Sequence, residues 1–245
     1  MEAREIDEMR RLEDHHWWFV GKRLLVTALL GDVLARPGIR LLDVGCGTGG
    51  VLAGLGRGVR PVGVDRSALA LAHCRQRGLT AVACAGAGAL PFAPSSFDVV
   101  LLLDVLEHFS DEQGLLGDVR GLVRTGGHVL VSVPAFQFLW SDHDEVLQHV
   151  RRYRAGELRR VLQDAGFTVE RLTYTNAVAF PPAVVVRGLL ARLGIWSGGR
   201  TDFREHGTLV NGTLVGAYRL EAQALARGLR LPLGLSVAAV ARVNG

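Results

Sequence analysis

Two aspartates and a glycine turn carry the chain's most specific chemistry. The stretch LLDVGCGTGG, Leu41 to Gly50, runs an apolar segment and Asp43 into Gly45, Cys46, Gly47, Thr48 and Gly49. Glycines there let a ligand come close to the backbone. A carboxylate two residues ahead of the turn repels a pyrophosphate and attracts an ammonium. A second apolar run, PVGVD, ends in Asp65, 22 residues after Asp43. A carboxylate at that place can accept hydrogen bonds from both hydroxyls of a ribose. The pair asks for a ligand with a ribose and a cation but no diphosphate.

Three further clusters could meet a second substrate. Asp104-Val105-Leu106-Glu107-His108 follows a continuous apolar run. His108 is a candidate general base, and Asp104 or Glu107 could equally meet free N–H groups at a helix start. The segment WSDHDEVLQHVRRYR, Trp140 to Arg154, contains His143, His149, Arg151, Arg152 and Tyr153. His, Arg and Tyr at such a rim favour an anionic or polyhydroxyl acceptor, with His143 or His149 as base; the alternative is that Arg151, Arg152 and Tyr153 brace the next helix. The third cluster is HHWWF, His15 to Phe19, followed by Lys22-Arg23. Adjacent tryptophans cannot share one helix stripe, so one, Trp18, is expected at the cleft, where an aromatic face attracts a cation; packing of the helical extension is the plainer use.

Strands must present these groups at their ends. Apolar patterning places strands at 41–44, 61–64, 80–83, 97–103 and 128–133, alternating with helices at 67–77 and 111–124 and a short helix after the glycine turn. Later segments read as a loop at 135–154, a helix at 156–165, a strand at 167–175, helices at 182–193 and 208–228, and a strand at 236–243. Strand–helix alternation with runs apolar on both faces predicts an α/β fold, a Rossmann-like doubly wound, mostly parallel sheet of about seven strands. We expect one domain, 1–245: an N-terminal helical cover at 1–36, a cofactor-binding core at 38–176, a helical cap insertion at 177–230 and a final strand at 235–243.

The composition fits that reading. The chain has 245 residues, 49% of them hydrophobic, and a formal net charge of +4. Its arginines are scattered, which argues against nucleic acid as partner. Three cysteines without metal-type spacing point to a reducing cytoplasm and away from disulfides or zinc. The charged start MEAREIDEMRR is not expected to be a signal peptide, and no apolar run reaches the roughly 20 residues of a membrane helix.

A ribose and a cation without a diphosphate describe S-adenosylmethionine, and several motifs in order resemble the class I S-adenosylmethionine-dependent methyltransferases, type 11/23-like. LLDVGCGTGG resembles their first motif and PVGVDRS, Pro61 to Ser67, their ribose-binding strand. LPFAPSSFDVVLLLDVLEHF (Leu90–Phe109) and LVRTGGHVLVSVP (Leu122–Pro134) resemble the regions that follow. The resemblance implies cofactor contacts at Asp43, Gly45, Cys46, Gly47, Asp65, Arg66, Ala87 and Asp104. It departs at Gly86, where the family often has an acid that reads adenine. The spacing Asp104, Glu107, His108 also resembles ubiquinone-pathway O-methyltransferases, where it can hold a divalent metal; we expect no metal here. The expected activity is methyl transfer to a small-molecule oxygen, in a sugar, lipid-linked or secondary-metabolite acceptor. Nitrogen or carbon acceptors, a nucleotide-dependent oxidoreductase and a non-catalytic cofactor-binding partner are the alternatives. A peripheral membrane setting and a homodimer are compatible with the composition.

Overall fold

A computed structural model describes residues 3–190 and 207–244. The chain opens with α1 (Ala3–Leu12) and α2 (Trp17–Leu34). The helix breaks between them because His16, in extended conformation, turns its side chain back to accept the Trp18 N–H at 3.4 Å. There follow β1 (Ile39–Val44), α3 (Gly50–Ala53), β2 (Val59–Asp65), α4 (Ala68–Gln76), β3 (Val82–Cys84) and β4 (Phe97–Leu103). Then come α5 (Glu112–Leu122), β5 (Val123–Pro134), α6 (Asp142–Val146), α7 (Ala155–Asp164) and β6 (Phe167–Thr175), and finally α8 (Phe180–Ala183), α9 (Thr208–Ala226) and β7 (Ser236–Val243).

The seven strands form one sheet in the order β3-β2-β1-β4-β5-β7-β6. Pairings from β3 to β5 are parallel, and β7 inserts antiparallel between β5 and β6. The sheet is thus the mostly parallel, doubly wound one that the alternation predicts. Its two faces bury alternate residues of the same strands. Leu42, Val44, Val100 and Leu102 pack with α5 and α7 on one side. Ile39, Leu41, Val99 and Leu101 pack with α2, α4 and α9 on the other. Both faces are covered, which is why the strands read as unbroken apolar runs. Helix α2 is itself apolar around most of its circumference, because it lies between the sheet and α9. Gly21 permits the close approach: a Cβ there would lie 2.5 Å from the Tyr218 ring.

Strand order reverses at β1, whose neighbours are β2 and β4, so a crevice opens at the C-terminal ends of these strands. β5 begins at Val123, ahead of the strand expected at 128, and two later segments also differ from expectation. The loop predicted over 135–154 contains a 3₁₀ turn, Gln137–Leu139, and α6. The helix predicted over 182–193 is replaced by α8 and a π-helical stretch, Val184–Leu190; residues 191–193, like the middle of the predicted cap, lie outside the described residues. Among the described residues, no helix is long and apolar enough to cross a membrane.

Candidate active site

A cavity of about 790 Å³ occupies the crevice. At one end the glycine turn presents bare backbone. Gly45, Gly47 and Gly49 have φ of +76°, +53° and +83°, left-handed values that side-chain-bearing residues rarely adopt. Asp65 stands beside the turn. Its carboxylate accepts the Gly47 N–H at 3.0 Å and the Ser67 N–H at 2.8 Å, so it also fixes the turn's position. Asp43 is buried, and its Oδ1 has no hydrogen-bond partner among the described residues. Burial, reinforced by the negative charge of Glu13, pushes its carboxyl well above the usual range. A buried acceptor facing a cavity without a donor is a place for a cation.

The N-terminal segment roofs this end. Ile6, Met9, Trp17, Trp18 and Phe19 line the cavity, and Glu13 clips the segment to the glycine turn. Its carboxylate accepts the Gly50 N–H at 2.8 Å and the Thr48 hydroxyl, and it pairs with Arg77 at 3.0 Å. The Glu13 side chain is so close that a Cβ on Gly50 would meet its Cδ. This is a carboxylate capping the start of α3 from 37 residues away.

Between the strand tips sits the chain's only lysine. Lys22 is buried; its ammonium donates to Asp104 Oδ1 at 2.7 Å and Ser132 Oγ at 3.0 Å, and lies 5.0 Å from the centre of the Trp18 ring. It joins the ends of β4 and β5. Asp104 is held with φ of +57°, its N–H donated to the Ser132 carbonyl at 2.8 Å.

The far end gathers histidines. His108, His143 and His149 all line the cavity, with the His108 and His149 rings 4.8 Å apart and those of His143 and His149 6.2 Å apart. His149 Nδ1 lies 2.8 Å from Asp144 Oδ1, and its Nε2 lies 4.0 Å from Glu107. Glu107 is fully buried with both carboxylate oxygens unpartnered among the described residues. Burial and the nearby Asp104 push its carboxyl well above the usual range. Burial opposes ionisation of Asp144 too, but hydrogen bonds from His149 and Arg152 hold it well below that range. Burial and Arg187 pull His143 down to about 3. Ala179, Pro182, Ala183 and Val186 form an apolar wall beside these groups.

The structure brings into one cavity Asp43, Gly45, Cys46, Gly47, Asp65, Arg66, Ala87 and Asp104, together with Trp18, His108, His143, His149 and Arg152. Gly86 lies along it where the resemblance leads one to expect an acid. Arg151 and Tyr153 do not line it. Tyr153 is fully buried in the core and donates its hydroxyl to Glu112 at 2.6 Å. Arg151 pairs with the same Glu112 at 3.1 Å and stacks over the Tyr153 ring. Both brace the start of α5 instead of facing an acceptor, which corrects the expectation for them. The segment is extended, so alternate side chains point opposite ways; Arg152 faces the cavity and its neighbours face away. Sequence reasoning missed Glu13 and Lys22 as site residues, and Asp144 as the partner of His149. Only Lys22 carried a signal, as a lone lysine among arginines.

Residues 18–172 match a family model described as a methyltransferase domain. The chain is 30% identical over 165 residues to a probable S-adenosylmethionine-dependent methyltransferase of Mycolicibacterium smegmatis, the match covering 65% of this chain and 62% of that protein. It is 31% identical over 147 residues to the ubiquinone biosynthesis O-methyltransferase of Cupriavidus pinatubonensis, covering 54% of this chain and 58% of that one. The chain therefore spans about three fifths of the length of these curated relatives. In fold it is similar to the [4+2]-cyclase SpnF, with TM-score 0.57 and 21% identity over 89% of this chain and 80% of that one. With the motif order, the sheet topology and the family match agreeing, the chain belongs to the class I S-adenosylmethionine-dependent methyltransferases.

Proposed function

We propose that the protein transfers a methyl group from S-adenosylmethionine to an oxygen of a small-molecule acceptor. The observation that carries this is the pairing of Asp43 and Asp65 at adjacent strand tips beside bare glycine backbone, at one end of a cavity whose other end holds three histidines. The residues fit the cofactor: the orphan Asp43 oxygen suits the amino-acid ammonium, Asp65 the ribose hydroxyls, and the open backbone at Gly86 and Ala87 the base. When bound, the cofactor supplies an electrophilic methyl carbon on a sulfonium with a neutral leaving group. The chain's own part is then alignment, exclusion of water and handling of a proton. Ile6, Met9, Trp17 and Trp18 line the cavity from the N-terminal segment, which suits exclusion of water. An oxygen acceptor must lose a proton, and His108, His143 and His149 are placed to take one.

The apolar wall at Ala179, Pro182, Ala183 and Val186 suits an acceptor with an apolar body, such as a lipid-linked or secondary-metabolite alcohol. The three free cysteines suit a reducing compartment. The fold is shared with a [4+2]-cyclase, so it does not fix the reaction. Calorimetric titration separates the readings: S-adenosylhomocysteine binds and NADH does not. Asp65→Ala weakens that binding by about 1–3 kcal/mol, roughly 5- to 150-fold, from unpaired ribose hydroxyls. Equal affinity in the variant, or preference for NADH, overturns the assignment. Screening alcohols and carboxylates with methyl-labelled cofactor then identifies the acceptor.

A further inference from the structure

We infer that His149 takes the acceptor's proton and that Asp144, clamped by Arg152, is the positioning residue that sets its tautomer; this deepens, and rests on, the methyl-transfer reading above. Asp144 is surrounded by donors. Arg152 grips it with a fork, Nε to Oδ1 at 2.9 Å and Nη2 to Oδ2 at 2.7 Å. The Ser141 N–H donates to Oδ2 at 2.9 Å. The Ser141 hydroxyl adds a longer bond to Oδ2 at 3.4 Å, and His149 Nδ1 approaches Oδ1 at 2.8 Å. An ionised carboxylate only accepts, so Nδ1 must carry the hydrogen, and in the neutral imidazole it is Nε2 that presents a lone pair. Nε2 looks toward Glu107 Oε1 at 4.0 Å, too far for a hydrogen bond. His149 lines the cavity, and this nitrogen lacks that bond.

The clamp is itself anchored. Arg152 Nη1 donates to the Ala135 carbonyl at 3.2 Å, just past β5, and its backbone N–H to Gln137 Oε1 at 3.0 Å. The His149 N–H donates to the Asp144 carbonyl at 2.8 Å, and the Val150 N–H to the Glu107 carbonyl at 2.8 Å. The imidazole is therefore tied, through Arg152, to the segment just past β5, whose last residue, Pro134, lines the cavity. A buried ion pair adds little stability that apolar side chains of the same volume would not. What Arg152 and Asp144 supply here is orientation. The other two histidines are less suited. His143 is pulled down to about 3 by burial and Arg187, far below the range that serves a base near neutrality. His108 is also lowered, by burial and then by His149, and its ring is engaged with the Gln148 carbonyl.

In the proposed step the acceptor O–H bond breaks, its proton bonds to Nε2, and the electron pair stays on the oxygen that attacks. The proton leaves the imidazolium for bulk water after turnover.

Long-range ¹H–¹⁵N spectra of the uniformly labelled protein read the tautomer directly, with the His149 signals assigned by their loss in His149→Gln. The expected wild-type signature is a hydrogen on Nδ1 of His149. In Asp144→Asn the amide donates to Nδ1, and the hydrogen moves to Nε2. S-adenosylhomocysteine affinity stays within twofold in both variants. Turnover of the screened acceptor falls at least 100-fold in each. A wild-type hydrogen on Nε2, an unmoved tautomer in Asp144→Asn, or undiminished turnover in His149→Gln overturns the inference. The wild-type spectrum decides even if Asp144→Asn does not fold. Failure of S-adenosylhomocysteine to bind the wild type would instead defeat the methyl-transfer reading and leave the tautomer result standing.

Discussion

Removing the Glu13 carboxylate tests how the roof is held. Glu13→Ala strands the Gly50 N–H and the Thr48 hydroxyl, while Arg77 keeps Asp14 at 2.7 Å and the Thr48 carbonyl at 3.0 Å. Arg77 is therefore not left as an isolated buried charge, and the cost falls mainly on two orphaned donors. Each unsatisfied buried group costs about 1–3 kcal/mol. Water entering the polar gap recovers part of that, so we expect a loss of about 3 kcal/mol. For a chain of this size that corresponds to roughly 6–12 °C in Tm. Glu13→Gln keeps the shape and one acceptor, and should lose about 1 kcal/mol. Urea denaturation followed by circular dichroism gives both values, with unchanged m showing that the comparison is sound. If Glu13→Ala lies within about 1 kcal/mol of wild type, the carboxylate is not what holds the segment down.

Two further outcomes follow from burial. Burial and the nearby Asp104 push the Glu107 carboxyl up, so its contribution to stability is fully present below the ordinary carboxylate pKa of about 4.3 and is lost as pH rises toward its elevated folded value. Glu107→Gln lacks that slope; its Tm relative to wild type should rise between pH 4 and pH 8, and a flat difference would contradict that elevation. Gly21→Ala drives a Cβ to 2.5 Å from Tyr218 and should cost about 1–3 kcal/mol in urea. Gly31→Ala, on the same helix with nothing within 4 Å, should be neutral or gain up to about 1 kcal/mol; equal effects at the two sites would mean that α2 and α9 are not packed as described.

What the sequence made legible is local. The strand ending in Asp43, the glycine turn and the strand ending in Asp65 are contiguous patterns whose backbone and side-chain demands lie within a few residues of each other. The strand over 97–103 and the β7 run at its exact bounds were equally readable, because burial on both faces leaves an uninterrupted apolar signature. The clip by Glu13, the bridge by Lys22 and the pairing of Asp144 with His149 were not. Glu13 acts on Gly50 and Lys22 on Asp104, 82 residues away, and no periodicity encodes such meetings. Asp144 and His149 are close in sequence, yet the turn joining them passes through Gln148 at φ of +59°, which neither helical nor strand spacing anticipates. The RRY segment shows a different limit. Its alternation was foreseeable, but which phase faces inward depends on how β5 delivers the loop.

The buried lysine also leaves the folded chain without an exposed ε-amine for acylating reagents. Lys22 has a side chain only 6% exposed and locked against Asp104. An anhydride or succinimidyl ester can modify that ε-amine only when its bonds to Asp104 and Ser132 open. The rate of acylation at this single site therefore counts such openings, with mass spectrometry as the readout and no engineered label.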